Sequence, residues 1–239
     1  MDIYLNKETH ALFNLFHQHG YQAYLVGGFV RDALLGRESD DYDIATDAPI
    51  REIVTWFSED QIQQSFTSFK RVDIQINFTC FQITSFRKDE NFKNHRYPQK
   101  VTSISSAKMD SLRRDFTFNA LYYHPATGLL DFHSGYDDLM HHQLKTIKDP
   151  YQCFEEDALR ILRAIRFMSH YDFSCDKNTL QAMDLYASNL EKLKHNRLVK
   201  NEYILFTAGK YKDKVIKFLP SKLRFTLTQI KESINNENN

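Results

Sequence analysis

Leu25-Val26-Gly27-Gly28-Phe29-Val30-Arg31-Asp32, followed after a short interval by Asp41-Tyr42-Asp43-Ile44, is the stretch that decides the fold. Gln22 to Val26 reads as a short strand and Phe29 to Leu35 as an amphipathic helix, so the two glycines fall in the turn between them. A diglycine there lets backbone N–H groups approach an anion with no side chain in the way. Arg31 lies in the first helical turn, within reach of the same anion. If Asp41-Tyr42-Asp43 is a strand, its two carboxylates share one face with roughly 7 Å between their Cα atoms. Like charges so placed drive each other's pKa values apart unless a cation neutralises them. Hard oxygen ligands of this kind suit Mg²⁺, which takes one or two carboxylates and shares the remainder of its shell with substrate phosphates. An Asp-x-Asp alone is also what a solvated loop end carries. The diglycine and Arg31 just upstream turn the reading toward a metal-dependent nucleotide site.

Outward from that stretch, the chain reads as a folded globular protein. Its 239 residues suffice for one large domain or two small ones, and a 42% hydrophobic and 14% aromatic content supplies a core. Lys+Arg and Asp+Glu both number 31. A neutral chain does not advertise nucleic-acid binding as a strongly basic one would, so any contact with RNA must rest on a local patch. The cysteines Cys80, Cys153 and Cys175 are far apart and form no Cys-x-x-Cys, which excludes a zinc site or disulfide framework on sequence grounds and makes a reducing cytoplasm the expected home. No secretory leader pattern stands at the N-terminus and no run of 18 apolar residues occurs, so neither secretion nor membrane insertion is expected. The adjacent His141 and His142 diverge in a helix or a strand and read as surface residues.

The organisation changes near residue 140. Before it, Val72, Ile74, Ile76 and Phe78 alternate with Asp73, Gln75 and Asn77, a period of two that predicts a half-buried strand, with Cys80 to Phe86 as its partner. After Asp149-Pro150 the pattern is helical: Phe154 to His170, Lys177 to Leu193, Leu198 to Ala208, and Lys212 to Leu219 ending at Pro220. From Glu232 the tail is polar and Asn-rich, and fraying is expected. In the helix from Phe154, Glu155, Glu156 and Asp157 fall in the first turn, favourably for the helix dipole, and Asp157 and Arg160 at i and i+3 point the same way. As a surface ion pair they contribute about 0.2–0.5 kcal/mol, above an apolar stripe of Leu159, Leu162 and Ile165.

Four ordered segments carry a family resemblance: residues 25 to 47, LVGGFVRDALLGRESDDYDIATD; then Arg113-Arg114-Asp115-Phe116-Thr117-Phe118-Asn119-Ala120; then Leu130-Asp131 to Gly135 with Asp138-Leu139; then the run from Glu156 to Phe167. Together they resemble the class II tRNA nucleotidyltransferases, the CCA-adding enzymes, whose motifs are shared with bacterial poly(A) polymerases. The match covers roughly Gly20 to Phe173, with a weaker continuation to about Gly209. The resemblance implies an α+β protein: a polymerase-β-like nucleotidyltransferase head at 1–140, with a mixed β-sheet flanked by helices, then an all-helical neck and start of body at 141–231, and a polar tail at 232–239. It implies transfer of C and A from CTP and ATP to a tRNA 3′ end, with pyrophosphate released. Asp41 and Asp43 would be the catalytic metal ligands and Gly27 and Gly28 the phosphate loop, with Arg31 beside it. Arg113, Arg114, Asp115 and Asn119 look like the ribose and triphosphate motif, where arginine forks suit phosphate. Asp157 and Arg160 look like the pair that reads the incoming base, an acceptor and a donor matched to C or A edges, with Arg163 and Arg166 as further nucleotide contacts. Residues 87 to 98 resemble the flexible loop that helps to switch from C to A addition, and Asp131 with Gly135 resembles the hinge of head and neck, although Ser134 replaces a glycine often found there.

Two departures stand against the pattern. The family's strand ending Glu-Val-Thr-Thr-Phe-Arg supplies a third catalytic carboxylate, whereas this chain reads Gln82-Ile83-Thr84-Ser85-Phe86-Arg87. Gln82 cannot be an anionic ligand or a base; Asp73 on the adjacent strand is the available substitute, or metal alone activates the attacking hydroxyl. Second, family members usually carry body and tail regions that grip tRNA, and the chain stops at Asn239, so a fragment, a partner-assisted grip and a short form stay open. Asn196-Arg197 to Glu202 only loosely resembles the family's last motif and receives no site. Poly(A) addition and a silenced nucleotide- or RNA-binding relative are the alternatives.

Overall fold

The structure, a computed structural model, describes residues 3–66 and 70–237. It divides into two compact units, one running through Glu90 and including Lys100–Tyr136, the other comprising Asn91–Gln99 and the chain from Asp137 onward. The strands in chain order are β1 Ala23–Val26, β2 Tyr42–Thr46, β3 Ile62–Phe66, β4 Arg71–Ile76, β5 Thr79–Ser85, β6 Arg87–Lys93, β7 Tyr97–Ser103, β8 Leu121–His124 and β9 Gly128–Asp131. The helices are α1 Lys7–Gln18, α2 Gly28–Leu34, α3 Ile50–Ile53, α4 Ala107–Ser111, α5 Gly135–Met140, α6 Pro150–Glu156, α7 Leu159–Tyr171, α8 Lys177–Glu191, α9 Arg197–Thr207, α10 Lys212–Phe218 and α11 Ser221–Glu237.

In the first unit, seven of the described strands form one mixed sheet in the order β3-β4-β5-β2-β1-β8-β9. The pairing of β2 with β5 is parallel, while β1 runs antiparallel to both β2 and β8. The short β1 and β2 are apolar where they cross the core: Leu25, Val26, Ile44 and Ala45 are all buried. Val26, Ala45, Phe86, Ala107 and Tyr122 form one packed cluster, against which Tyr24 and Phe132 lean. α1 is started by Asn6, whose side chain accepts from Thr9 N–H. This is the α+β architecture expected, with a mixed sheet flanked by helices and a helical C-terminal part.

The predicted strand from Val72 to Phe78 stops at Ile76. Asn77 adopts a left-handed φ of 51° and begins the tight turn into β5, which leaves Phe78 fully exposed at its tip. Asparagine tolerates that conformation more readily than most side chains, so the turn chemistry overrides the alternation. The segment at 87 to 98, likened above to a flexible loop, forms a two-stranded ribbon of β6 and β7. Asn94 and His95 both have positive φ, 53° and 52°, and Arg96 N–H donates to Lys93 C=O across them at 3.1 Å, the arrangement of a two-residue hairpin turn matched to strand twist.

In the second unit, α7 packs on α9 and α10, and α8 on α6 and α11. The single helix predicted from Phe154 to His170 is two helices. Asp157 is extended, at φ −143° and ψ 99°, and its carboxylate accepts from Leu159 N–H at 3.0 Å, a local bond that competes with helix continuation. Ala158 N–H is taken by His95 C=O at 2.9 Å. Glu155 and Glu156 therefore close α6 instead of opening a longer helix, and the dipole reading of their placement does not hold. The tail expected to fray from Glu232 is helical through Glu237, because Ile230, Ser233 and Ile234 recur at helical spacing and are buried.

Candidate active site

The diglycine turn lies where the sequence predicts it. Gly27 has φ 76° and ψ −131° and precedes the first turn of α2, a conformation open to glycine at no steric cost. A Cβ on Gly27 would stand 3.3 Å from an Asp43 carboxylate oxygen, and one on Gly28 3.6 Å from an Asp41 oxygen. Both carboxylates thus converge on the turn. Asp41 itself precedes β2, which begins at Tyr42, and Asp43 N–H donates to Asp41 C=O at 3.1 Å. The pairing of the two carboxylates survives although only Asp43 lies on the strand.

Arg31 is buried and forks onto Asp32, with Nε and Nη2 donating at 3.1 and 2.8 Å, while Nη1 donates to Asn119 Oδ1 at 2.8 Å. Asn119 Nδ2 in turn donates to Asp115 Oδ1 at 3.1 Å, which also accepts from Phe116 N–H at 2.8 Å. This network joins the first segment to the Arg113–Ala120 segment and brings Arg31, Asn119 and Asp115 together. Arg113 and Arg114 are engaged by a further acid, and the charge of Asp43 also acts on Arg114. Both bond Asp110: Arg113 Nε at 2.8 Å and Arg114 Nη2 at 3.4 Å, with Arg114 Nε donating to Tyr122 Oη at 2.9 Å and Tyr122 donating to Asp110 at 2.6 Å. Asp110 is wholly buried. Burial alone would push its pKa up, but the charges of Arg113 and Arg114 and the bonds from Arg113 and Tyr122 outweigh it and lower the value to about 2. No motif pointed to Asp110. The spacing of one acid to two arginines at i+3 and i+4 is the signal that finds it.

The sheet register settles what surrounds the departure at position 82. Gln82 pairs with Asp43 across β5 and β2, and with Asp73 across β5 and β4. Paired residues share a face, so Asp43, Gln82 and Asp73 stand abreast on three neighbouring strands, about 5 Å apart. Gln82 Nε2 donates to Asp41 Oδ1 at 3.1 Å. Asp73 is gripped by Arg71 through two bonds of 2.7 and 2.9 Å. That bond raises the Arg71 pKa, burial opposes it, and the charges of Asp73, Asp43 and Asp41 raise it further. Among the described residues no group of three His, Cys, Asp or Glu side chains is gathered as a metal cage. Two carboxylates facing a glycine turn nevertheless fit a hard divalent ion whose remaining ligands are phosphate oxygens and water.

In the second unit, Asp157 accepts from Arg96 Nη1 at 2.5 Å, a partner from the ribbon tip that the sequence did not single out. Arg160 is buried and donates to Cys153 C=O at 3.3 Å, with Glu156 at 3.7 Å. Lys148 bonds Glu156 from the other side at 2.7 Å. Arg163 and Arg166 both reach Glu202, at 3.3 and 2.7 Å. The segment holding Glu202 was assigned no site, and nothing local betrays a contact 36 to 39 residues away. Asp131 accepts from the N–H groups of Gly135 and Tyr136, each at 2.9 Å, and Ser134 takes the left-handed φ of 57° for which glycine is the usual residue.

A family model described as the poly(A) polymerase head domain matches residues 23–145. A CCA-adding enzyme of Bacillus pumilus is 37% identical over 217 residues, covering 89% of this chain and 53% of that protein. The solved Bacillus stearothermophilus CCA-adding enzyme in complex with CTP superposes with a TM-score of 0.67 at 27% identity, covering 92% of this chain and 57% of the other. The Thermotoga maritima CCA-adding enzyme complexed with tRNA shares the fold, with a TM-score of 0.72 at 23% identity over 93% of this chain and 53% of that one. The chain spans about half the length of the curated relatives it matches. No described helix is long and apolar enough to cross a membrane.

Proposed function

This chain belongs to the poly(A) polymerase head-domain family, the family of tRNA nucleotidyltransferases, and on that premise we propose that it adds C and A nucleotides, without a template, to the 3′ end of tRNA. CTP and ATP are the donors, Mg²⁺ the cofactor, the cytoplasm the place of work, and pyrophosphate the leaving product. The observation that carries the proposal is the convergence of the Asp41 and Asp43 carboxylates on the Gly27-Gly28 turn. The CCA-adding enzymes it resembles favour C and A addition over poly(A) synthesis.

When bound, a divalent ion lowers the pKa of a coordinated hydroxyl and offsets charge on the phosphates. Asp41 and Asp43 would hold it. Gly27 and Gly28 leave backbone N–H groups bare for the triphosphate, and Arg31, fixed by Asp32 and Asn119, sets the positive potential beside it. Asp115, steadied by Asn119, presents an acceptor for a ribose hydroxyl. Arg113 and Arg114 add positive field from behind Asp110. Asp157 and Arg160 would read the base edge, while Arg163 and Arg166, held by Glu202, keep α7 and α9 aligned and leave Arg163 the more open of the two.

The test is incorporation of labelled CTP and ATP, singly and together, into tRNA lacking its 3′ CCA, with Asp41→Ala and Asp43→Ala as controls. Finite, ordered addition that needs CTP and is lost in both controls is the expected result. Unlimited addition from ATP alone would make the chain a poly(A) polymerase. The Gln82 amide on Asp41 favours a second reading, a silenced nucleotide-binding relative, which nucleotide binding without any transfer would establish.

A further inference from the structure

Within the second unit, a cavity of about 620 Å³ opens between the ribbon tip and the corner where α8 gives way to α9. Asn94, His95 and Tyr97 line it from the ribbon, and Lys192, His195 and Asn196 from the corner. Every one of these six side chains can donate a hydrogen bond, and among the described residues no acid lines the cavity. The donors are held in place: Lys192 Nζ lies 3.0 Å from Asn189 Oδ1 and 3.3 Å from His95 Nε2, and Asn196 Nδ2 donates to Tyr97 Oη at 2.8 Å. The sequence around the cavity is equally one-sided. Residues 192 to 200, KLKHNRLVK, carry four Lys and Arg and no acid, in a chain whose net charge is zero. Tyr97 is 41% exposed, an open ring beside the donors.

One lysine set among neutral hydrogen-bond donors suits a phosphodiester, and an exposed aromatic ring beside them offers a face for an unstacked base, the combination by which single strands are held. We propose that this cavity is a phosphodiester-binding site for a single-stranded segment of RNA, with Lys192 as its fixed charge, His95, His195 and Asn196 as further donors, and Tyr97 as the stacking surface. The inference rests on the proposed function for the identity of the strand, and adds where on this chain its backbone is held.

Fluorescence anisotropy with labelled tRNA lacking its CCA end, read between 50 and 200 mM salt and beside a CTP titration, tests it on the full chain. Lys192→Glu should weaken RNA binding about tenfold at the lower salt and reduce the salt slope by about one. Lys192→Arg should retain both, Tyr97→Ala should weaken RNA with the slope unchanged, and CTP affinity should stay constant throughout. Wild-type melting temperature in Lys192→Glu, an exposed position, confirms that the fold is intact. Unchanged RNA affinity and slope overturns the site, and so does wild-type chain that binds no RNA. A loss of CTP affinity with RNA binding unchanged assigns the phosphate to the nucleotide and overturns the RNA assignment. Loss of RNA affinity in Lys192→Glu, from a wild-type chain that transfers no nucleotide, would keep this site and remove the proposed activity.

Discussion

Two acids, one in each unit, hold two arginines apiece: Asp110 holds Arg113 and Arg114, and Glu202 holds Arg163 and Arg166. The clamps differ in how much of the guanidinium they consume. Asp110 is wholly buried and is also bonded by Tyr122 Oη and by Arg87 N–H at 3.0 Å. Its two arginine side chains are 16% and 15% exposed. Glu202 leaves Arg163 twice as open, at 32%. An arginine fork spent on a buried carboxylate contributes field and rigidity, while one that stands more open to solvent is less confined by its acid. Of the four arginine side chains, Arg163 is the most open to solvent.

That contrast can be broken at the head first. Asp110→Asn leaves two half-buried guanidinium groups without their buried anion and should cost about 3–5 kcal/mol of stability, measured by urea denaturation of the head signal. The pH dependence has a definite sign. With a folded pKa of about 2, below its ordinary value, Asp110 contributes stability that is fully present above the unfolded carboxylate range near pH 4 and is lost as pH falls toward 2. The amount is about 2 kcal/mol, and the acid limb should flatten in the variant.

Glu202→Gln should cost less, about 1–3 kcal/mol, because Arg163 is already 32% exposed and Glu202 is not wholly buried. Hydrogen exchange should quicken along α7 and α9 and stay unchanged in the sheet; protection lost equally in both units would contradict the separate accounting of the two clamps. Gln82→Glu sharpens the comparison from the other side by adding a carboxylate that no arginine clamps. It should tighten Mn²⁺ binding about tenfold, or about 1.4 kcal/mol, as read by calorimetry, with unaltered affinity pointing to a position outside the ion's reach. The smallest effect belongs to Phe78→Ser, at a turn tip outside both clamps: a change within about 0.5 kcal/mol in the same denaturation experiment.

Local chemistry was legible in the residues and tertiary closure was not. The diglycine, the Asp41–Asp43 pair and the alternation of Val72 to Ile76 name their own structures, since each depends on neighbours in sequence. The break at Asp157 is hidden because Leu159, Leu162 and Ile165 continue the helical stripe past it. The helical tail is hidden because Ile230 and Ile234 are few among polar residues, yet both are buried. Arg113, Arg114, Arg163 and Arg166 carry the chemistry of phosphate ligands, and only the folded chain shows the acids that engage them. Glu202 lies too far along the chain for any spacing rule, whereas Asp110, three and four residues before its arginines, could have been found.

On the proposed function, Asp41 and Asp43 hold the divalent cation beside the glycine turn. Mn²⁺ titration followed by electron paramagnetic resonance, with and without CTP, tests it most directly. Binding that CTP strengthens and that Asp41→Ala and Asp43→Ala each abolish is expected; equal Mn²⁺ binding in wild type and in both variants would place the cation elsewhere.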